Sequence, residues 1–421
     1  MKAKVTVFLS SQLFTNSFEN VTITHPPLSD RINRLKESET IKMASLSREL
    51  RAQGLDIIDL SLGEPDFDTP QHIKDAANQA MKDGYTHYTP VPGYMELREA
   101  ISRKFKRDNG LDYSPHQIVV STGAKQSLAN VALCLLNPGD EAILPAPYWV
   151  SYAAIVELAQ GIKVEIPTSI EQDFKFTPEQ LEASITEKTR FVMMCSPCNP
   201  TGSVYSYNEL QQIARVLERY PEVFVVADEI YEYINYTDSH ASLASFDFIK
   251  DQVITVNGFS KGFAMTGWRV GYLGAPDWVA KACNKMQGQF TSGTCSIAQK
   301  AAETAISGDL APTYAMKAAF KKRLEFVHKT LNEIPGVRVN KPQGAFYIFP
   351  EISSYFGKSD GETSINNPND LAMYLLKDAN VAVVTGRAFG DDNCIRISYA
   401  ASEEKLKEAL NRIANSLSKL H

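Results

Sequence analysis

The chain has 421 residues, 44% of them apolar and 22% charged, enough for a large domain with a smaller companion. A formal net charge of −6 and a pI near 5.8 argue against nucleic acid as a partner, because phosphate binding needs a basic face. No apolar run is long enough to cross a bilayer, so no membrane partner is expected.

At the amino end, Lys2 and Lys4 precede an apolar stretch from Val5 to Leu9 that is too short for the core of a signal peptide, so a cytoplasmic location is expected. The six cysteines lie mostly inside apolar runs, as reduced thiols do. Cys195 and Cys198 form a C-x-x-C spacing, but no second pair answers it and no H-x-x-x-H occurs, so no metal site is expected. Residues 1–28 lack periodicity and read as a flexible extension.

From Asp30 to Gln53 the chain is charged and helical, and Asp56 to Leu60 reads as a short strand. Gly63-Glu64-Pro65-Asp66-Phe67 then opens a turn-rich loop, and Pro70 starts a helix to about Asp83. Tyr85 to Tyr94 is rich in aromatics and proline and reads as an ordered irregular loop. The helix after it reaches about Asn109.

Gln117 to Val120 reads as a strand and Gln126 to Leu136 as a helix, with Ser121-Thr122-Gly123-Ala124-Lys125 between them. A strand, a turn of small residues and a helix start together present free backbone N–H groups and a helix dipole to an anion. Further strands are expected at Glu141 to Leu144, Lys163 to Ile166, Arg190 to Cys195 and Val223 to Ala227, with helices between them. That alternation predicts an α/β fold with a mostly parallel sheet, whose ligands gather beyond the carboxyl ends of the strands. Asn199 follows one of these strands and Asp228 another. A carboxylate in such a place needs a cation, although Asp228 could also serve as a helix N-cap.

Val253 to Val256 is the next buried strand, and it leads into Gly258-Phe259-Ser260-Lys261-Gly262. Between Gln252 and Pro276 the charged residues are Lys261 and Arg269 alone. A lysine in so apolar a surround is disposed toward the neutral amine that attacks carbonyls. Ser260 and Arg269 offer it a hydroxyl and a cationic fork suited to phosphate. A Schiff-base lysine with an aspartate on a ring nitrogen is the protein environment of pyridoxal phosphate. No G-x-G-x-x-G and no G-x-x-x-x-G-K-[ST] occurs, which counts against dinucleotides and ATP.

A long charged helix is expected from about Lys317, then strands at Val337 to Val339, Gly344 to Phe349, Val381 to Val384 and Cys394 to Tyr399, a helix near Asp370 to Lys377 and a closing helix. Arg396 lies inside an apolar strand and needs a carboxylate, either an internal one or a ligand's.

Taken together, Ser260-Lys261-x-x-x-Met265-Thr266-Gly267-Trp268-Arg269-x-Gly271 and Asn199-Pro200-Thr201-Gly202 resemble a class I aminotransferase of the fold-type I pyridoxal-phosphate family. Gly63 to Phe67 and Gly123-Ala124-Lys125-Gln126 resemble its bacterial aspartate aminotransferase branch, and the likeness covers nearly all the chain after about residue 30. The resemblance implies a large domain over residues 69–310, with a mostly parallel seven-stranded sheet between helices. It implies a smaller α+β domain built from both chain ends, residues 29–68 and 311–421.

It also implies roles. Lys261 joins the cofactor and then moves the substrate proton. Asp228 keeps the pyridine nitrogen protonated, Asn199 and Tyr231 bond the ring oxygen, and Trp149 stacks on the ring. Ser260, Arg269 and the amides of Gly123 and Ala124 hold the phosphate, helped by Tyr88 from the other subunit of a homodimer with shared sites. Arg396 clamps the substrate α-carboxylate with backbone help from Gly63, and Lys125 with Thr40 takes the distal carboxylate. The branch that uses a partner arginine for that task is not matched, since Phe290 to Thr294 contains none. The family usually has another residue at Cys198.

The implied reaction moves the amino group of L-aspartate to 2-oxoglutarate. Prephenate, aromatic or alanine transamination and C–S lysis on the same cofactor remain open alternatives, as does a regulator with an aminotransferase-like fold. The regulator would need a basic DNA-binding module before the fold, where only about 30 non-basic residues stand and a module usually needs ~50 or more.

Overall fold

The computed structural model describes residues 28–421, so most of the expected extension over residues 1–28 lies outside the described residues. Seven strands form the central sheet: β1 (Ile118–Ser121), β2 (Glu141–Ala146), β3 (Ile162–Pro167), β4 (Thr189–Cys195), β5 (Phe224–Asp228), β6 (Val253–Gly258) and β7 (Gly271–Gly274). Their spatial order is β1-β7-β6-β5-β4-β2-β3. Every pairing is parallel except those of β7, which runs antiparallel to both β1 and β6.

The interior strands are apolar on both faces because helices cover both. Successive residues alternate between two cores. Phe191, Met193 and Cys195 of β4 face one side with helix Ala124–Leu135, while Val192 and Met194 face the other with helices Met95–Lys104 and Tyr207–Leu217.

Segments from both chain ends pair in smaller sheets. Ile58–Asp59 pairs in parallel with Val381–Ala382, and Val384–Thr385, Ile395–Ser398 and Tyr347–Ile348 form an antiparallel sheet. Helices Ala311–Asn332, Pro368–Asp378 and Glu403–Leu417 accompany it.

Several elements differ from the sequence reading. The segment from Asp30 to Gln53 is two helices, Asp30–Arg34 and Glu39–Ala52, because Leu35 and Ser38 are extended and Ser38 takes the N-cap position of the second. Val381 to Val384 is not one strand, since its two halves pair with different partners. Val337 to Val339 makes only a bridge from Arg338 to Glu351, and the long helix starts at Ala311. The remaining expected strands of the central sheet and the helices named with them fall within a few residues of their places.

Candidate active site

The carboxyl ends of β1, β4, β5 and β6 open onto one cavity of about 310 Å³. Its walls carry Thr40, Gly63, Ala124, Lys125, Trp149, Asn199, Asp228, Tyr231, Ser260, Lys261, Arg269 and Arg396. Residues more than 300 positions apart in the chain, Thr40 and Arg396 among them, meet there.

Lys261 sits on the connection from β6 to β7, and its ammonium group donates to the carbonyl of Gly63. Burial and then the Arg396 guanidinium hold its pKa down to about 8 from the usual 10.5, against the pull of Glu64. Asp228 ends β5 with 3% of its surface exposed. Its Oδ2 accepts from Tyr152 Oη at 2.6 Å and its Oδ1 from the backbone of Ile230 at 3.2 Å. Burial outweighs those donors and lifts the carboxyl to about 6. No α-helix starts at Asp228, so it is not a helix cap, and among the described residues no cation lies within ion-pair distance of it.

Arg396 is 1% exposed. Its Nη1 donates to Asn199 Oδ1 at 3.0 Å and its Nη2 to the Ser61 carbonyl at 2.5 Å, while its buried Nε has no acceptor. The guanidinium lies 4.5 Å from the centre of the Tyr347 ring, and burial lowers its pKa. Of the two partners considered for Arg396, an internal carboxylate is not the one found among the described residues. A buried cation so arranged awaits an anion.

At the end of β1, Gly123 has φ +85°, and a Cβ there would stand 2.4 Å from Arg269 Nη2. A Cβ on Gly271 would come within 2.2 Å of the Ala124 nitrogen. Small residues thus let the Arg269 fork and the start of helix Ala124–Leu135 close on one point. The first N–H groups of that helix have no intrahelical acceptor, so together with Ser260 and Arg269 they make a seat for a dianion. Arg269 holds φ +57°, a left-handed conformation that costs a non-glycine residue energy and recurs at functional sites. Tyr231 Oη lies 2.9 Å from Tyr347 Oη.

At the mouth, Lys125 Nζ stands 4.9 Å from the centre of the Trp149 ring, and the buried hydroxyl of Thr40 has no hydrogen-bond partner. Tyr88 alone of the expected site residues lies apart. It is 100% exposed and does not line this cavity.

Sequence reasoning gave no role to Tyr152, Tyr347 or Glu64, which also line the cavity. The one sequence signal for the tyrosines is a hydroxyl inside an apolar run, which when buried must find a partner. For Glu64, whose Oε2 accepts from Thr266 Oγ1 at 3.0 Å, there is none. Cys195 and Cys198 are free and buried, and burial raises both thiols.

These residues fit pyridoxal phosphate. The glycine-lined seat suits its phosphate, the unpaired Asp228 suits its ring nitrogen, and Lys261 suits its aldehyde.

The family model for aminotransferase class I and II matches residues 55–413. A bifunctional aspartate aminotransferase and glutamate/aspartate-prephenate aminotransferase of Petunia hybrida is 50% identical over 397 residues, covering 93% of this chain and 82% of its own length. An aspartate/prephenate aminotransferase of Nitrosomonas europaea is 44% identical, with 93% and 100% covered. Among solved structures, the aspartate aminotransferase of Rhizobium meliloti superposes with a TM-score of 0.91 at 42% identity, covering 94% of this chain and all of that one. That of Thermus thermophilus with maleate superposes with a TM-score of 0.87 at 38% identity, covering 93% and 100%.

Proposed function

The chain belongs to the class I and II aminotransferases, and from that premise we propose that it is an aspartate aminotransferase, passing the amino group of L-aspartate to 2-oxoglutarate to give oxaloacetate and L-glutamate. The observation that carries the substrate is a pair of cations on the wall of one cavity. Arg396, with its buried unpaired Nε, and the exposed Lys125 both line it, as does Thr40 with its orphaned hydroxyl. A substrate with two carboxylates satisfies both. The Thermus thermophilus aspartate aminotransferase was solved with maleate, a molecule of that class.

When bound, pyridoxal 5'-phosphate supplies an electron-accepting ring that makes the Cα proton of an amino acid acidic. Ser260, Arg269 and the amides of Gly123 and Ala124 would hold its phosphate, and Trp149 its ring face. Asn199 and Tyr231 would donate to its ring oxygen. Asp228 would hold a proton on its ring nitrogen. Arg396 and the Gly63 backbone orient the α-carboxylate, so that the Cα proton faces Lys261. The amine of Lys261, neutral above about pH 8, takes that proton from the donor. In the other half of the cycle it returns one to Cα of the acceptor, so no proton is consumed.

The proposal extends to a division into a large body, residues 69–310, and a smaller one from residues 29–68 and 311–421. It also extends to a homodimer in which the partner's Tyr88 completes the phosphate seat. The full exposure of Tyr88 supports that arrangement. A cytoplasmic location belongs to the same reading; among the described residues no helix is long and apolar enough to cross a membrane. Prephenate as a second amino acceptor is supported by the names of the Petunia hybrida and Nitrosomonas europaea relatives.

Incubating the purified protein with ¹⁵N-aspartate, 2-oxoglutarate and pyridoxal phosphate tests the assignment. Appearance of ¹⁵N-glutamate with an equal amount of oxaloacetate is the expected result. Label retained on aspartate, or released as ammonia, would overturn it.

A further inference from the structure

Next to Asp228 stands a second buried carboxylate, Glu229, that the chemistry above leaves unused. It belongs to a cluster with Glu232, His240 and Lys104, whose side chains are 4%, 3%, 9% and 0% exposed. His240 Nε2 lies 3.1 Å from Glu229 Oε2, an ion pair when the imidazole is protonated, and neither atom has a hydrogen-bond partner. The Lys104 ammonium is in ionic contact with Glu232 Oε1. It also donates to Asn109 Oδ1 at 2.7 Å, and Asn109 Nδ2 donates to Glu232 Oε2 at 3.2 Å. Glu229, Glu232 and His240 bring ligand atoms within 4.8 Å of one another, a metal-like spacing, but Lys104 already supplies the cation there.

Counting charge decides the state of the imidazole. Two carboxylates against one ammonium leave a buried net negative charge, and a proton on His240 cancels it. Burial alone would strip that proton, and the facing Glu229 and Glu232 outweigh burial and the opposing Lys104, so the pKa of His240 is raised. The other groups around the cluster are the hydroxyls of Tyr113 and Tyr272 and, beyond Tyr233, the Arg107–Asp108 pair.

We propose that His240, as an imidazolium, is a positioning residue for the reaction: it balances Glu229, so that Asp228 meets the cofactor's ring nitrogen as a carboxylate of suitable basicity. This rests on the assignment of Asp228 made above. Glu229 is the next residue in the chain, and its backbone N–H donates to Val256 O at 2.8 Å, beside the Asp228–Val256 rung of the sheet. Burial above all, and Glu229 as a smaller cause, raise the Asp228 carboxyl, and a proton on His240 offsets the charge of Glu229.

The test compares wild type with His240→Asn, Glu229→Gln and the double variant. In the apoprotein with ¹⁵N-labelled histidine, one imidazole should titrate above the usual histidine range and lose that property in E229Q. In the loaded enzyme, H240N should move the pH midpoint of the cofactor absorption up by about one unit, since an uncompensated carboxylate favours bound protons. The double variant should return the midpoint to the wild-type value, which a purely structural role for His240 would not do. A neutral His240 in the apoprotein, or a midpoint unmoved in a folded H240N, overturns the inference. If H240N does not fold, the histidine spectra of wild type and E229Q decide it. A protein that takes up no pyridoxal phosphate would sink the reading of the site, while those apoprotein spectra would still decide the charge pairing.

Discussion

Tyr152 Oη donates to Asp228 Oδ2 at 2.6 Å, both groups sealed from water. Asp228 binds its proton more tightly in the folded apoprotein than unfolded, because its carboxyl rises from the usual 3.8 to about 6. The sign follows: its contribution to stability falls as pH climbs through that window. Tyr152→Phe removes a donor to the ionised form and should extend the loss above pH 6. Thermal melts of apo wild type and variant between about pH 5 and 8 should diverge upward of the wild-type midpoint, and parallel curves would show that the hydroxyl does not act on Asp228. In the loaded enzyme, losing a hydrogen bond to a charged group at roughly 1.5 to 3 kcal/mol should lower kcat/KM by about tenfold or more.

Lys261 should react as an amine of depressed pKa. Because the neutral form dominates above about 8 rather than 10.5, reductive methylation of the apoprotein should label Lys261 half-maximally near pH 8, with surface lysines following far higher. Mass spectrometry across a pH series reads this directly. Labelling that follows the surface lysines would mean that burial leaves the amine unperturbed. Lys261→Ala should abolish transamination while the phosphate seat still binds pyridoxal phosphate.

The sequence shows this site wherever chemistry interrupts an apolar run. Asn199, Asp228 and Lys261 each follow a buried strand, and strand ends share an edge in a parallel sheet, so their meeting can be inferred without coordinates. β7 was invisible because Gly271-Tyr-Leu-Gly274 has glycine at both ends and no β-branched residue. Its antiparallel direction has no local sequence signal either. The tie of Tyr152 to Asp228 spans 76 residues and leaves no mark in either segment. Thr40 reaches the cavity because the chain breaks at Leu35 to Ser38, within what periodicity reads as one helix.

Lys125→Ala should weaken aspartate and glutamate and spare alanine and phenylalanine, because only dicarboxylates use a second cation. Standing at an exposed mouth over Trp149, it should account for the low end of a charge-assisted contact, about 1.5 kcal/mol or roughly tenfold in kcat/KM. Equal losses on all four donors would assign Lys125 to the phosphate seat or to folding instead.

In the proposed homodimer, Tyr88 should act in the partner's site. If Lys261→Ala and Tyr88→Ala chains, each impaired alone, are refolded together, a hybrid carries both defects in one site and none in the other. Random pairing makes about half the dimers hybrid, so roughly a quarter of wild-type activity should appear above the parental background. A mixture no more active than the mean of its parents would place Tyr88 in its own site or in none.

In the proposed reading, one cavity lined by Arg396 and Lys125 and served by Lys261 takes dicarboxylic amino acids. Single-turnover half-reactions of the loaded enzyme, followed by the change in cofactor absorbance across aspartate, glutamate, alanine and phenylalanine, read that preference. The two dicarboxylates should react at least about tenfold faster at equal subsaturating concentration, the worth of one charge-assisted contact. Equal rates for all four, or a preference for alanine or phenylalanine, would contradict it.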